Sequence, residues 1–344
     1  MLFDQPQYAE HEKVLFCADA ACGLRAIISI HSTKLGPAAG GCRMYPYGSD
    51  QEALDDVLRL SRAMTYKNAM AGLALGGGKS VIIANPAERH SPKLLRAFGK
   101  QVQDLGGIYW TAEDVGVTIE GVEQIAQTTR FVFGTRTRPG AVGDPSPFTA
   151  AGVYAGMRAA IRHRLGANSV AGLTIAVQGV GSVGLELCRI LNRHGARLII
   201  ADCDPAATAT ARRELDAQVV DPREIHRVDA EVFSPCALGG TVNDRTIASL
   251  RAKVVAGAAN NPLASPSDGI ALHERSILYA PDFIINAGGM IHASGEIFGR
   301  HDPESVQRSI ECIFETSASI FECSQRTNTP PESVALALAA ERLR

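Results

Sequence analysis

Two lysines stand twelve positions apart across a glycine-rich turn in the stretch Thr65 to Ser80, TYKNAMAGLALGGGKS, Lys67 among apolar residues and Lys79 behind three glycines. About a hundred residues later comes a second glycine loop, Gly179-Val180-Gly181-Ser182-Val183-Gly184. The first stretch has the make-up of a site for the charged groups of an amino acid and the second that of a dinucleotide cradle, so together they point to redox chemistry on an amino acid. Lysines usually belong to the surface, but neither of these has the polar company of an exposed helix face. Two ammonium groups brought into one cleft repel and lose hydration, which makes one of them a candidate base. Asp114 follows the apolar run Ile108-Tyr109-Trp110 and ends the strand expected there, while Glu113 at the alternate position should face the other way. Helix capping is the duller role for Asp114.

Gly78-Lys79-Ser80 also matches the end of a phosphate-binding P-loop, but the spacing excludes that reading. The template requires a glycine where Leu73 stands, and Gly72 is one residue too far. Val81 to Asn85, closed by Pro86, reads as a strand where a P-loop requires a helix.

The later loop lies between the buried-strand pattern Leu173 to Gln178 and a helix expected over Val183 to His194. In that context the first glycine permits the tight turn, the second the approach of backbone N–H groups to a pyrophosphate, and the third close helix packing. Asp202, 18 residues past Gly184 at the end of Leu198 to Ala201, is placed to accept the ribose hydroxyls of NAD and to repel the extra phosphate of NADP. A solvated loop aspartate is the alternative.

The elements that position these residues follow from periodicity. Arg25 to His31 reads as a strand with Val14 to Phe16 pairing beside it, and Ser49 to Tyr66 as a helix capped by Ser49 or Asp50, with Lys67 at its end. Val81 to Ile83 gives a strand and Pro92 to Leu105 a helix, so that loops of an α/β unit would carry Lys67, Lys79 and Asp114. Thr135 to Pro147, rich in proline and glycine, has the composition of a connection between domains. Beyond it, a helix over Thr149 to His163 and strands ending in Phe283-Ile284-Ile285 give the pattern of a parallel sheet covered on both faces. The fold class is therefore α/β, with two domains and the site expected in the cleft between them. An N-terminal substrate domain, also the oligomerisation domain, spans 1-140. A doubly wound, Rossmann-type dinucleotide-binding domain spans 145-325, and a C-terminal helix in 326-344 returns to the first domain.

The 344 residues are 46% hydrophobic, and 34 lysines and arginines against 36 acidic residues leave a net charge of -2. Such a balance offers no footprint for nucleic acid or an anionic membrane. The eight cysteines form no CxxC pair and no Cys/His cluster of metal-ligand spacing, so no metal is expected and the thiols read as reduced. With neither a signal peptide nor a membrane-length apolar run, the expected location is cytoplasmic.

The chain resembles the glutamate/leucine/phenylalanine/valine dehydrogenase family, most of all its leucine and phenylalanine dehydrogenase branch. The matching motifs run in order from Leu35-Gly36-Pro37-Ala38-Ala39-Gly40-Gly41-Cys42-Arg43-Met44 and Leu58 to Asn68, through Gly76 to Lys79, Thr111 to Gly116, Pro145 to Ala150 and Ser234 to Leu238, to Gly257 to Asn261 and Ile285 to Gly289. The resemblance implies that Lys67 holds the substrate α-carboxylate, that Lys79 polarises the carbonyl and activates water, and that Asp114 carries a proton to and from the amino group. It places Thr149, Ala237 and Asn260 beside the nicotinamide and Asn261 near the substrate carboxylate. Gly40, Gly41, Met64, Ala39, Met290 and Ala293 would line the substrate site, the two alanines standing where leucine and valine are expected and so leaving room for a longer or aromatic side chain. The implied activity is NAD-dependent reversible deamination of an apolar L-amino acid by a homo-oligomer, at least a dimer. A glutamate dehydrogenase and a catalytically silent dinucleotide-binding regulator are the competing readings.

Overall fold

A computed structural model describes residues 2–85, 91–137, 140–300 and 302–344. Pro86, expected to close a strand, and Arg138 and Pro139 of the expected interdomain connection lie outside the described residues. The chain divides into two compact units, Met1–Asp144 with His292–Asp302 and Ala339–Arg344, and Pro145–Ile291 with Pro303–Leu338. His292–Asp302 thus groups with the first unit, although it lies inside the stretch 145-325.

The first unit is built on β1 (Lys13–Asp19), β2 (Leu24–Ser32), β3 (Ala38–Ala39), β4 (Cys42–Tyr45), β5 (Gly76–Ile83) and β6 (Tyr109–Trp110), with helices α1 (Asp50–Met70), α2 (Pro92–Asp104) and α3 (Ile119–Ile125). The strand order is β1-β2-β5-β3-β6, with β4 also on β5; β1, β2 and β5 pair antiparallel, and β3 and β4 join β5 in parallel. The run Arg25 to His31 alternates little because both faces of the sheet are covered. Ile27 and Val81 pack under Ala53, Leu54, Val57 and Leu58 of α1. Ile28, Ile30 and Ile82 share the opposite core with Leu94, Leu95 and Phe98 of α2 and Val122 and Ile125 of α3.

Ser49 caps α1 by accepting from the Glu52 N–H. The helix then runs in step with β2: Ser29 Oγ lies 2.9 Å from Ser61 Oγ, and His31 Nδ1 lies 2.9 Å from Thr65 Oγ1. Four helical residues advance about 6 Å and two strand residues about 6.7 Å, so the register holds across both contacts. Gly76, Gly77, Gly78 and Lys79 are not a turn, as the sequence had implied, but the first half of β5. A Cβ on Gly77 would lie 2.0 Å from the Thr65 nitrogen, and one on Gly78 2.7 Å from the Tyr109 ring. The glycines let a helix backbone lie directly on one face of the strand and an aromatic ring on the other.

The second unit opens with α4 (Ser146–Leu165) and continues through β7 (Thr174–Gln178), α5 (Ser182–Arg193), β8 (Arg197–Ala201), α6 (Pro205–Glu214), β9 (Ala217–Val219), β10 (Val232–Pro235), α7 (Asp244–Ser249), β11 (Val254–Val255), α8 (Pro266–Glu274), β12 (Leu278–Tyr279) and α9 (Asp282–Ile285). Helices α10 (Gly288–Phe298), α11 (Pro303–Thr327) and α12 (Pro331–Arg342) complete the chain. All pairs in the sheet β12-β11-β10-β7-β8-β9 are parallel. Counted from β7, this is the order 3-2-1-4-5-6 of a doubly wound dinucleotide-binding sheet. Phe283-Ile284-Ile285, expected as a strand, is the helix α9, and the outer strand is Leu278–Tyr279 instead. A short apolar run has no period that separates the two states.

Arg342 of α12 donates to the carbonyls of Ala69 and Met70 at 2.9 Å, tying the chain's end to the end of α1. All eight cysteines are free thiols. Among the described residues no helix is long and apolar enough to cross a membrane.

Candidate active site

Lys79 lies on the α1 face of β5, in register with Ser29 and only 6% exposed. Its Nζ stands 3.1 Å from Asp114 Oδ2. Arg43, on β4, donates its Nε to the same oxygen at 3.0 Å and one terminal nitrogen to Asp56 Oδ2 of α1 at 2.9 Å. Asp56 is held in turn by the Tyr47 hydroxyl at 2.7 Å and by Arg59 at 2.7 Å. The loop carrying Asp114 is fixed by its backbone: Cys42 N–H donates to Ala112 O and Met44 N–H to Val115 O, each at 2.8 Å. Gly41 is required there, since a Cβ would meet Glu113 O at 2.2 Å.

Burial drives the Asp114 carboxyl upward, but the charges and hydrogen bonds of Lys79 and Arg43 outweigh it and hold the group below the usual carboxylate range. The capping alternative for Asp114 falls, because Thr118 caps α3 by accepting from the Gly121 N–H. Arg43 and Asp56 were not singled out from the sequence. The available signal was an arginine set between Cys42 and Met44, both buried, on a short strand.

Lys67 occupies the last turn of α1 and is half-buried. It lies two residues past Thr65, as Lys79 lies two past Gly77, and Thr65 and Gly77 are a point of close approach between helix and strand. Gly40 adjoins this point, its would-be Cβ 2.0 Å from Gly78 O and 3.1 Å from Met64 Cγ. Met64 and Met290 are half-buried. Ala39 is fully buried in β3, opposite Gly77 and Trp110, and Ala293 is 5% exposed.

In the second unit the loop Gly179 to Gly184 follows β7 directly, at the point where the strand order reverses. Gly179 has φ +96°, and a Cβ there would meet Ala237 N at 2.9 Å; a Cβ on Gly184 would lie 2.1 Å from Gly179 O. Around a Cβ on Gly181, by contrast, there is open space, and no side chain caps α5 there. Val180 N–H donates to Asp202 Oδ2 at 2.8 Å, so the carboxylate at the end of β8 is drawn onto the loop. An uncapped helix N-terminus with Ser182 and Val183 in its first turn, room at the second glycine and an adjacent carboxylate together fit a dinucleotide.

The matching family models are the Glu/Leu/Phe/Val dehydrogenase dimerisation domain, over residues 11–131, and Glutamate/Leucine/Phenylalanine/Valine dehydrogenase, over residues 200–343. The leucine dehydrogenase of Geobacillus stearothermophilus is 48% identical over 99% of this chain and 93% of its own length. The phenylalanine dehydrogenase of Caldalkalibacillus thermarum is 42% identical over 98% and 92%. The crystal structure of L-tryptophan dehydrogenase from Nostoc punctiforme superposes with a TM-score of 0.82 at 41% identity, over 97% of this chain and 96% of that one. The chain belongs to the Glu/Leu/Phe/Val dehydrogenase family.

The first family segment holds Arg43, Lys67, Lys79 and Asp114, and the second holds Asp202, Ala237, Asn260 and Asn261. The glycine loop falls between the two, so its assignment stands on strand order and loop geometry. Asn286 Nδ2 donates to Asn260 Oδ1 at 3.0 Å and to Ala258 O at 3.2 Å. A few residues on, Gly288 and Gly289 lie against Phe148 and Thr149, so one segment touches both Asn260 and Thr149. Asn261 takes a left-handed φ of +49°, and its N–H donates to Asp282 Oδ2 at 2.8 Å.

Proposed function

We propose that the protein catalyses the reversible NAD-dependent oxidative deamination of an apolar or aromatic L-amino acid to its 2-oxo acid and ammonia. The observation that carries the reading is the pair of buried Lys79 and half-buried Asp114, 3.1 Å apart, in a chain of this dehydrogenase family. Lys67 anchors the substrate carboxylate and Asn261 lies near it. Asp114, ionised, takes a proton from the substrate ammonium, so that a neutral amine can release hydride from Cα. Lys79 polarises the carbonyl of the oxo acid and, in the deaminating direction, activates the water that attacks the iminium carbon.

NAD, when bound, supplies the hydride acceptor. The backbone of Gly179 to Gly184 and the α5 N-terminus would hold its pyrophosphate, Asp202 its ribose, and Thr149, Ala237 and Asn260 would stand beside the nicotinamide. The carboxylate of Asp202 favours NAD over NADP. The small side chains Ala39 and Ala293 favour a large apolar substrate, and the alanine at position 39 offers no cation to a distal carboxylate, which disfavours glutamate. Together Lys67, Lys79 and Asp114 disfavour a silent regulator. The working form is a homo-oligomer, at least a dimer.

The deciding experiment follows the near-ultraviolet absorbance of the reduced nicotinamide with the purified protein, NAD and a panel of amino acids. Reduction with leucine, valine, phenylalanine or tryptophan but not glutamate is expected. Dinucleotide binding without turnover on any amino acid would establish the regulator instead.

A further inference from the structure

Lys79 has two tasks that conflict. In the resting site it is a counterion to Asp114, yet activation of water requires it to give up or redirect its positive charge. Asp114, its side chain only 15% exposed, would then lose compensation, which is costly for a charge largely removed from water. The geometry around Asp114 supplies a second cation. Arg43 Nε donates to Asp114 Oδ2 at 3.0 Å, the same oxygen that faces Lys79. Arg43 cannot follow Lys79 away, because its terminal nitrogen is bound to Asp56, itself clamped from Tyr47 and Arg59. Among the described residues no side-chain or backbone donor is bonded to Asp114 Oδ1, so both cations pin one oxygen and leave the other to a reacting amine.

We propose that Arg43 is the positioning residue that keeps Asp114 ionised and its Oδ1 turned to the substrate amine, with Asp56 as its anchor, so that Lys79 is free to act on carbonyl and water. The inference rests on the proton-carrying role given to Asp114 under the proposed function. A guanidinium suits the task because it stays charged throughout the working pH range and presents two donors in a fixed fork, one for each carboxylate. The charged and titratable groups around the pair are Lys79 on β5, Cys42 on β4, Tyr47 after it, Asp56 on α1, Tyr109 on β6 and Glu113 beside Asp114 itself. Among the described residues, Lys79 and Arg43 pair with Asp114 and draw its carboxyl downward.

The test is a carboxyl carbon-13 titration of protein labelled at aspartate, with the Asp114 resonance assigned by its loss in Asp114→Asn, read beside the pH profile of kcat/KM for oxidative deamination. In the native protein the Asp114 resonance should titrate below the usual carboxylate range. Arg43→Gln should raise its midpoint by about one pH unit or more, as loss of an adjacent opposite charge does, and carry the acid limb of kcat/KM with it. Arg43→Lys keeps the charge but not the fork, so its shift should be smaller while kcat still falls. Asp56→Asn should raise the midpoint less than Arg43→Gln does, because loss of the anchor raises it while loss of a neighbouring like charge lowers it. If Arg43→Gln does not fold, the lysine and Asp56 variants carry the comparison. An Asp114 midpoint unchanged in the variants that fold, whatever their melting temperatures, would reduce Arg43 to a packing role and overturn the proposal. Native turnover in Asp114→Asn would instead remove Asp114 from the reaction, a different failure from an unmoved midpoint.

Discussion

Thr65 and Gly77 approach so closely that a methyl group on Gly77 would lie 2.0 Å from the Thr65 backbone nitrogen. That contact seats α1 on β5 and brings the chain segments of Lys67 and Lys79 to one place. Gly77→Ala should therefore push helix and strand apart, at a cost of about 1–3 kcal/mol or more. Gly181→Ala should leave stability unchanged, since its φ is -67° and a Cβ there meets open space, and should weaken NAD binding instead. Denaturant midpoints and calorimetric NAD titration of both variants separate the two glycine roles. Equal midpoints for Gly77→Ala and the native protein would show that the helix can yield.

Lys79→Ala should lower turnover by about 100-fold or more, the usual scale for loss of a general base, and leave NAD affinity intact. It also strips one cation from Asp114, so Lys79→Arg, which restores charge without a titratable amine, should remain slow. A near-native rate in either variant would take Lys79 out of the mechanism.

Lys67→Ala should act chiefly on KM, because a carboxylate anchor is engaged in ground and transition states alike. The native enzyme should strongly prefer an amino acid to its amide, and the variant should lose most of that preference. An unchanged acid-to-amide ratio would point to another anchor.

Asp202 accepts the Val180 N–H at 2.8 Å while remaining partly exposed, so it shapes the glycine loop as well as offering charge. Asp202→Ala should narrow the preference for NAD over NADP by removing repulsion of the 2′-phosphate, and weaken both through the loosened loop. Native protein that used the two cofactors equally would contradict the assignment.

The His31 imidazole is held at about 4, first by burial and then by the charges of His11 and Arg62. The unfolded chain binds this proton near pH ~6.5, so the depressed group costs nothing above that pH, and stability falls as pH drops from there toward 4. His31→Gln should flatten this part of the stability curve, leaving a smaller slope from His11, whose imidazole burial also lowers. Melting temperatures taken across that range check the sign, and an unaltered slope would assign the acid sensitivity elsewhere.

The sequence alone determined which residue types could do the chemistry and much of the local structure. Glycines spaced after an apolar run, and a carboxylate closing the next strand, are local signals, and they mark the loop at Gly179 and Asp202 beside it. The helix from Asp50 was legible because its apolar residues repeat at helical spacing after a capping serine. Tertiary structure decided what local pattern does not encode. Three glycines before Lys79 read as a turn, because turns favour glycine; only the proximity of Thr65 and of the Tyr109 ring shows that they thin a strand instead. Phe283 to Ile285 has the composition of a strand, but β12 already completes the sheet edge there, and the segment coils into α9. The bond from Arg43 to Asp114 spans 71 residues and its anchor at Asp56 lies on a different element, so neither leaves a mark in spacing. Charges far apart along the chain become partners only when strand register and helix packing bring them into one enclosed space.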